Sequence, residues 1–366
     1  MMEAPSSLDA LLRGHHEAIL NGRADLSEMP CLAANVFDHL REEAKALLDD
    51  ELTSAMAELF VLRHQTLFDC IGAHLSSKLC HPFTAAYHKA MVEILRRPEI
   101  LSSIIADLAK AWIADPACEG LFQPIFFFKG FQALTTHRVA HHLWKRGGSA
   151  STGAALLLQS RMAELFAVDI HPAAQVGDGV MLDHASGIVI GSTAVIGNDV
   201  YMLHSTTLGA TGKPMGNRRR HPMIGSSCTI GAGCSILGDI DIGDRATIGA
   251  AAVVTRSVPP GGTVVGVNNL LKRKQPASRE NSRTKPLSIR DQFEMRCEQL
   301  AAFEEECSGA AEAGPPAKKV QRTPPTRGLD DREDDLTADY TWFYEPRTHA
   351  EVVPAAREEG EYNFWE

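Results

Sequence analysis

The chain has 366 residues, of which 44 % are hydrophobic and 22 % charged, and a formal net charge of −10 at neutral pH. That composition can bury a core, which excludes a wholly disordered or collagen-like chain, and the length predicts two or three regions. The charge is uneven: residues 328–366 carry 12 Asp+Glu against 3 Arg, so the remainder is nearly neutral and a nucleic-acid-binding surface is not indicated.

Residues 1–35 are expected to be a flexible segment. Their start, MMEAPSSLDALLRGHH, lacks the apolar stretch of a signal peptide. No run approaches 18 uninterrupted apolar residues, so no membrane span is predicted and a cytoplasmic location is expected. The eight cysteines (31, 70, 80, 118, 228, 234, 297 and 307) form no CxxC pair, which argues against a zinc ribbon or a disulfide framework.

Residues 36–168 read as an α-helical domain. Leu40, Ala44, Leu47 and Leu48, then Leu59, Leu62, Leu67 and Ile71, recur at three- and four-residue spacing. Further helices are predicted over 85–95, 102–113, 129–144 and 154–166, with Gly147 and Gly148 breaking the last two apart.

From Asp169 the period changes to six. Aliphatic residues stand at 170, 176 and 182, then after a two-residue slip at 190, 196, 202 and 208, and after a loop at 224, 230, 236, 242 and 248. A helix repeats its apolar face every 3.6 residues, so a period of six instead predicts a triangular coil of short strands, a hexapeptide parallel β-helix over 169–274. The fold class is therefore α+β. The loop 209–223 interrupts the coil with Gly, Pro and basic residues, where function usually sits on a solenoid. Beyond residue 275 the composition predicts an acidic, mostly disordered tail with one helix over 289–306.

Several side chains in the coil can carry chemistry. His184 follows Asp169 by 15 residues, nearly one coil, so the two can form a dyad in which a carboxylate orients an imidazole base. Alternatively, His184 is an unpartnered surface residue, or it pairs with His204 as a metal ligand with a third from a neighbouring subunit. Cys228 and Cys234 occupy small-residue positions of consecutive hexads and read as structural. Lys213, Arg218, Arg219 and Arg220 suit an anion or simply solvent, and LGATGK lacks the spacing of a phosphate loop.

The stretch DIHPAAQVGDGVMLDHASGIVIGSTAVIGNDV, with HSTTLGATGK, RRRHPMIG, FFFKGFQALTTHRVAHHLW and DPACEG, resembles the serine O-acetyltransferases over residues 36–273, about two thirds of the chain. The resemblance implies acetyl transfer from acetyl-CoA to the L-serine hydroxyl, giving O-acetylserine for cysteine synthesis, without a covalent acyl-enzyme, a bound metal or a permanent cofactor. It makes His184 the general base and Asp169 its orienting carboxylate. Asp115 and Asp183 would hold the substrate ammonium, and Arg220 and His221 its carboxylate. Ala210, Gly212, Lys213, Ala232, Ala250 and Lys272 would contact CoA. It further implies a left-handed coil, trimers paired into hexamers through the helical domain, and inhibition by L-cysteine. Family members that bind O-acetylserine sulfhydrylase use a C-terminal peptide ending in Ile; this chain ends EYNFWE, so docking in that form is not expected. Three other readings compete: a different small acceptor, a metal-dependent carbonic anhydrase on the same coil using His184 and His204, and a non-catalytic scaffold.

Overall fold

Apolar spacing in the first half produces helices α1 (Leu8–Leu20), α2 (Met29–Ala46), α3 (Glu51–Ala57), α4 (Leu67–Leu79), α5 (Thr84–Leu95), α6 (Pro98–Ala114), α7 (Phe122–Phe126), α8 (Lys129–Arg146) and α9 (Ser149–Phe166). The computed structural model describes residues 8–81, 83–212 and 219–271; the expected acidic tail, the 289–306 helix, Lys213 and Lys272 lie outside the described residues. Val36, Phe37 and Leu40 of α2 join Leu67, Ile71 and Leu75 of α4 and Phe126 of α7 in one core. Helix α8 is covered on nearly every side, with even Gln132, Thr135 and Thr136 buried, as befits the central helix of a packed domain.

The flexible segment expected over 1–35 is not what residues 8–20 form. Helix α1 packs on α6, burying Leu12 and Ile19. His15 Nε2 lies 3.1 Å from the carbonyl of Ser102, and Trp112 Nε1 donates to Asp9 at 3.1 Å. His15 and His16 are buried in the middle of this short stripe; an apolar-period reading scores both as solvent-facing, which hides the helix.

The six-residue period then becomes three flat faces. Face A stacks β1 (Val168–Ile170), β4 (Ile188–Ile190), β7 (Thr207–Gly209), β10 (Ser235–Leu237) and β13 (Val253–Val254). Face B stacks β2 (Gln175–Val176), β5 (Val195–Ile196), β8 (Met223–Ile224) and β11 (Asp241–Ile242). Face C stacks β3 (Met181–Asp183), β6 (Tyr201–Leu203), β9 (Thr229–Ile230), β12 (Thr247–Ile248) and β14 (Thr263–Val265), closed by antiparallel β15 (Asn269–Leu271). The hexad aliphatics are in register. Ile170, Ile190, Leu208, Ile236 and Val254 form one internal ladder, and Leu182, Met202, Ile230, Ile248 and Val264 another. Each inward residue caps its equivalent in the coil below, so every coil buries what its neighbours expose. Cys228 and Cys234 are buried at turns between these strands, and burial pushes both thiols up, Cys228 to about 11. That fits their structural reading.

A polar seam joins the coil to the helices. Arg138 of α8 makes a bidentate pair with Asp107 of α6 at 2.7 and 2.8 Å and also donates to the carbonyl of Gly177. Asp107 accepts from the amide of Val180, and Ser103 donates to Asp178. Above them, Asp199 meets Lys110 at 2.5 Å and His16 at 3.2 Å. Burial alone would raise the Asp199 carboxyl; the hydrogen bonds from His16, Lys110 and Ser227 and the Lys110 charge overcome it and hold the group at about 2. The contribution of Asp199 to stability, about 2 kcal/mol, is therefore fully present above the ordinary aspartate range near pH 4 and disappears as pH falls towards 2. Unfolding free energy measured between pH 5 and 2 is expected to show a shallower acid slope in Asp199→Asn than in the wild type. Equal slopes would remove the assignment.

Candidate active site

The two-residue slip in the repeat falls between Leu182 and Ile190, and the structure shows what it builds. Higher on the same C–A edge each corner turns on one left-handed residue, Ser205, Gly233 or Ala251; here His184, Ala185 and Gly187 all have positive φ, at 54°, 52° and 78°. Two consecutive non-glycine residues in that region cost conformational energy, and such strain gathers at functional positions. The turn is closed by hydrogen bonds from the amide of Ala185 to Asp183 and from that of Ser186 to His184. It projects the His184 side chain outward, 76 % exposed in the single chain. From α8, Lys129 Nζ donates to Ser186 Oγ and clamps the turn. Helix α8 comes this close because its second residue is Gly130: a Cβ there would lie 1.9 Å from the carbonyl oxygen of Leu182.

The same corner forms a column. The amide of Ser205 bonds the carbonyl of Ser186, that of Gly233 bonds His204, and that of Ala251 bonds Ala232. With Asp183 opposite Leu203, His184 lies below His204, and Ala232 and Ala250 follow up the C–A edge, so two imidazoles stand at the bottom and small residues above. The rings of His184 and His204 meet edge to face, 6.1 Å apart. Among the described residues no three His, Cys, Asp or Glu side chains are grouped to hold a metal.

An acidic cluster adjoins His184. Asp183 Oδ1 is 3.9 Å from His184 Nε2, and Asp183 Oδ2 accepts from the Tyr201 hydroxyl at 2.6 Å. Asp115 ends α6, where its carboxylate accepts from the amide of Ala117 and turns the chain. Burial first, then the hydrogen bond to Asp183 and the charges of Asp183 and Asp115, push the Tyr201 phenol up. Asp115, Asp183 and Tyr201 therefore form one electrostatic group suited to an ammonium.

Basic residues gather at the A–B corner, beyond the far end of β4. The amides of Arg220 and His221 both donate to Thr193 Oγ1. The Thr193 amide donates to His221 Nδ1 at 3.2 Å, which leaves the ring proton of neutral His221 on Nε2. The ring lies against Gly191, where a Cβ would sit 2.0 Å from Nε2. Burial, the Arg220 charge and His171 all lower His221. Arg219 anchors the loop end to Asp239 at 2.5 Å and Asp241 at 2.6 Å.

The expected residues thus fall into two half-sites. His184, Asp183 and Asp115 come together; Arg220 and His221 come together; among the described residues no hydrogen bond or ion pair links the two groups. The strand β4 separates them by about 10 Å at the usual rise per residue. Asp169 lies on β1 opposite Val189, and its carboxylate accepts from Gln159 Nε2 at 2.7 Å. Ala210 and Gly212 begin the loop, with Gly212 at positive φ. Sequence reasoning missed Tyr201, Thr193, Lys129 and Gln159. Tyr201 stands 18 residues after Asp183, but the slip makes this coil 20 residues long, so the two meet on a diagonal that the ordinary period does not give; Gln159 and Lys129 reach in from helices and had no signal either.

Fold and columned corner define a hexapeptide-repeat transferase, and residues 221–256 match the model for the bacterial transferase hexapeptide (six repeats). Residues 36–136 match the model described as serine acetyltransferase, N-terminal. A serine acetyltransferase of Salmonella typhimurium is 41 % identical over 246 residues, 65 % of this chain and 88 % of that protein. Soybean serine acetyltransferase complexed with serine superposes with a TM-score of 0.61 at 40 % identity, over 65 % of this chain and 98 % of that one. The Brucella abortus serine acetyltransferase in complex with coenzyme A gives 0.60 at 37 % identity, over 64 % and 93 %. The chain belongs to the serine acetyltransferase family and is a serine O-acetyltransferase.

Proposed function

We propose that the enzyme transfers acetyl from acetyl-CoA to L-serine in a ternary complex completed between two subunits, with His184 as general base. The observation that carries this reading is the C–A column, which sets the exposed His184 imidazole, with His204 next above it, at the foot of an edge that continues in small residues. The pantetheine would follow Ala232 and Ala250, with Ala210 and Gly212 on the loop side and Lys213 and Lys272 near the nucleotide. The serine ammonium would sit between Asp115 and Asp183, and its carboxylate against Arg220 and the Nε2 proton of His221. Asp169, held by Gln159, enters as the orienting carboxylate on the family resemblance.

The chemistry balances without a covalent intermediate. His184 Nε2 takes the hydroxyl proton as the serine oxygen bonds to the thioester carbon. The tetrahedral oxyanion collapses, the C–S bond breaks, and the imidazolium returns its proton to the departing thiolate. An exposed base in one chain and two separated half-sites favour a trimer in which a neighbour's loop closes over His184, excluding water. The helical domain would pair such trimers. Free thiols at Cys31, Cys70, Cys80, Cys118, Cys228 and Cys234 suit a reducing, cytoplasmic setting.

Co-assembly tests the shared site. His184→Ala and Arg220→Ala chains, each inactive alone, are expected to regain roughly a quarter of wild-type turnover when refolded together in equal amounts, the random share of intact interfaces in a cyclic trimer. CoA thiol release with L-serine is the readout. No recovery from a mixed trimer of verified composition would place both half-sites in one chain.

A further inference from the structure

Asp183 is reached from two sides. One carboxylate oxygen, Oδ1, faces His184 Nε2 at 3.9 Å; the other, Oδ2, accepts from the Tyr201 hydroxyl at 2.6 Å. The contact is diagonal across the parallel pair β3–β6, in which Met181 is opposite Tyr201 and Asp183 opposite Leu203. An aromatic side chain spans that diagonal where a shorter one falls short. Tyr201 is half-buried, and burial first, then Asp183 and Asp115, push its phenol up and keep it a donor.

We propose that Tyr201 is a positioning residue for the acceptor amine, acting through Asp183; this rests on the reading that Asp183 receives the serine ammonium. The terminal torsion of an aspartate is soft and nearly two-fold, so an untethered carboxylate samples many orientations. Tyr201 occupies one oxygen and pins the plane. The other oxygen is left pointing into the space shared with Asp115 and His184, where an ammonium placed against it brings the neighbouring hydroxymethyl group towards the imidazole. The cost of ordering the carboxylate is thus met by the fold before substrate arrives. A Tyr–Asp–His sequence of contacts links the binding of the amine to the position of the base.

Because Tyr201 touches Asp183 and not the thioester, its removal acts on one substrate only. In the full-length oligomer, Tyr201→Phe is expected to raise KM for L-serine about tenfold, with a smaller change in kcat, an unchanged KM for acetyl-CoA and an unchanged melting temperature. In an Asp183→Asn background the same replacement is expected to add almost nothing, because its route to the substrate is already gone. Two results overturn the inference while leaving the Asp183 reading intact: a serine KM within about twofold of wild type in Tyr201→Phe when Asp183→Asn raises it strongly, or a parallel rise in both KM values with a lowered melting temperature, the mark of a merely structural tyrosine. A serine KM untouched by Asp183→Asn would instead overturn the ammonium assignment itself.

Discussion

Replacing His184 is expected to lower kcat by roughly 10²–10⁴, the range spanned by a lost general base, with little change in either KM. The oligomer should stay assembled, because the side chain projects into solvent in the single chain and supports no part of the core. Two variants are useful together. His184→Ala removes the ring but places an unsuited residue at φ 54°; His184→Asn also removes the base while offering a residue that tolerates the left-handed region. Both should lose turnover equally, which separates the missing imidazole from a disturbed turn. Chelator-treated wild-type enzyme should retain full activity, whereas a His184–His204 metal centre would lose it. If either variant kept kcat within tenfold of the wild type, the base would have to be sought elsewhere, and His204, 6.1 Å away ring to ring, would be the first group to examine.

Much of this geometry is legible in the sequence because the coil translates number into position. Twelve aliphatic residues at six-residue spacing set the three faces, their inward ladders and the coil-to-coil neighbours. The two-residue slip after Leu182 was visible as an irregularity, and it proves to be the strained turn that carries His184. Spacing is blind where the helices intervene. Fifteen residues relate Asp169 to His184 along the chain, but they give no sign that α9, which ends immediately before β1, supplies Gln159 to one oxygen of that carboxylate. That Arg220 and His221 stand at a different corner from Asp183 within one chain was equally hidden: a match to separate motifs does not say which corner of a prism a loop returns to. Helix α1 was missed for a different reason, since its face buries two histidines in a polar contact with α6 and the coil, and periodicity credits only apolar burial.

The largest expected loss of stability comes from the seam, and it bears on catalysis. Arg138 is 7 % exposed and Asp107 1 %, and the pair is completed by the amide of Val180 and the carbonyl of Gly177, both in the first coil. Burying both charges is expensive, so the intact pair adds little net energy compared with an apolar equivalent; removing one partner is another matter, because the other charge stays buried without compensation. Arg138→Met is therefore expected to destabilise the protein by about 3–5 kcal/mol, lowering the melting temperature by roughly 10 °C for an ordered region of this size. Asp107→Asn in the same chain should restore part of that loss by removing the stranded charge, a non-additivity expected only of residues in contact. The seam holds α8 against the first coil, and α8 carries Lys129, which clamps the His184 turn through Ser186. Near its lowered melting temperature, Arg138→Met should thus lose kcat before it loses secondary structure, as the turn is released from the helix that fixes it. Thermal unfolding followed in parallel by circular dichroism and by CoA thiol release separates the two events. Coincident curves, or a destabilisation under 1 kcal/mol, would show that the coil holds its turn without the ion pair.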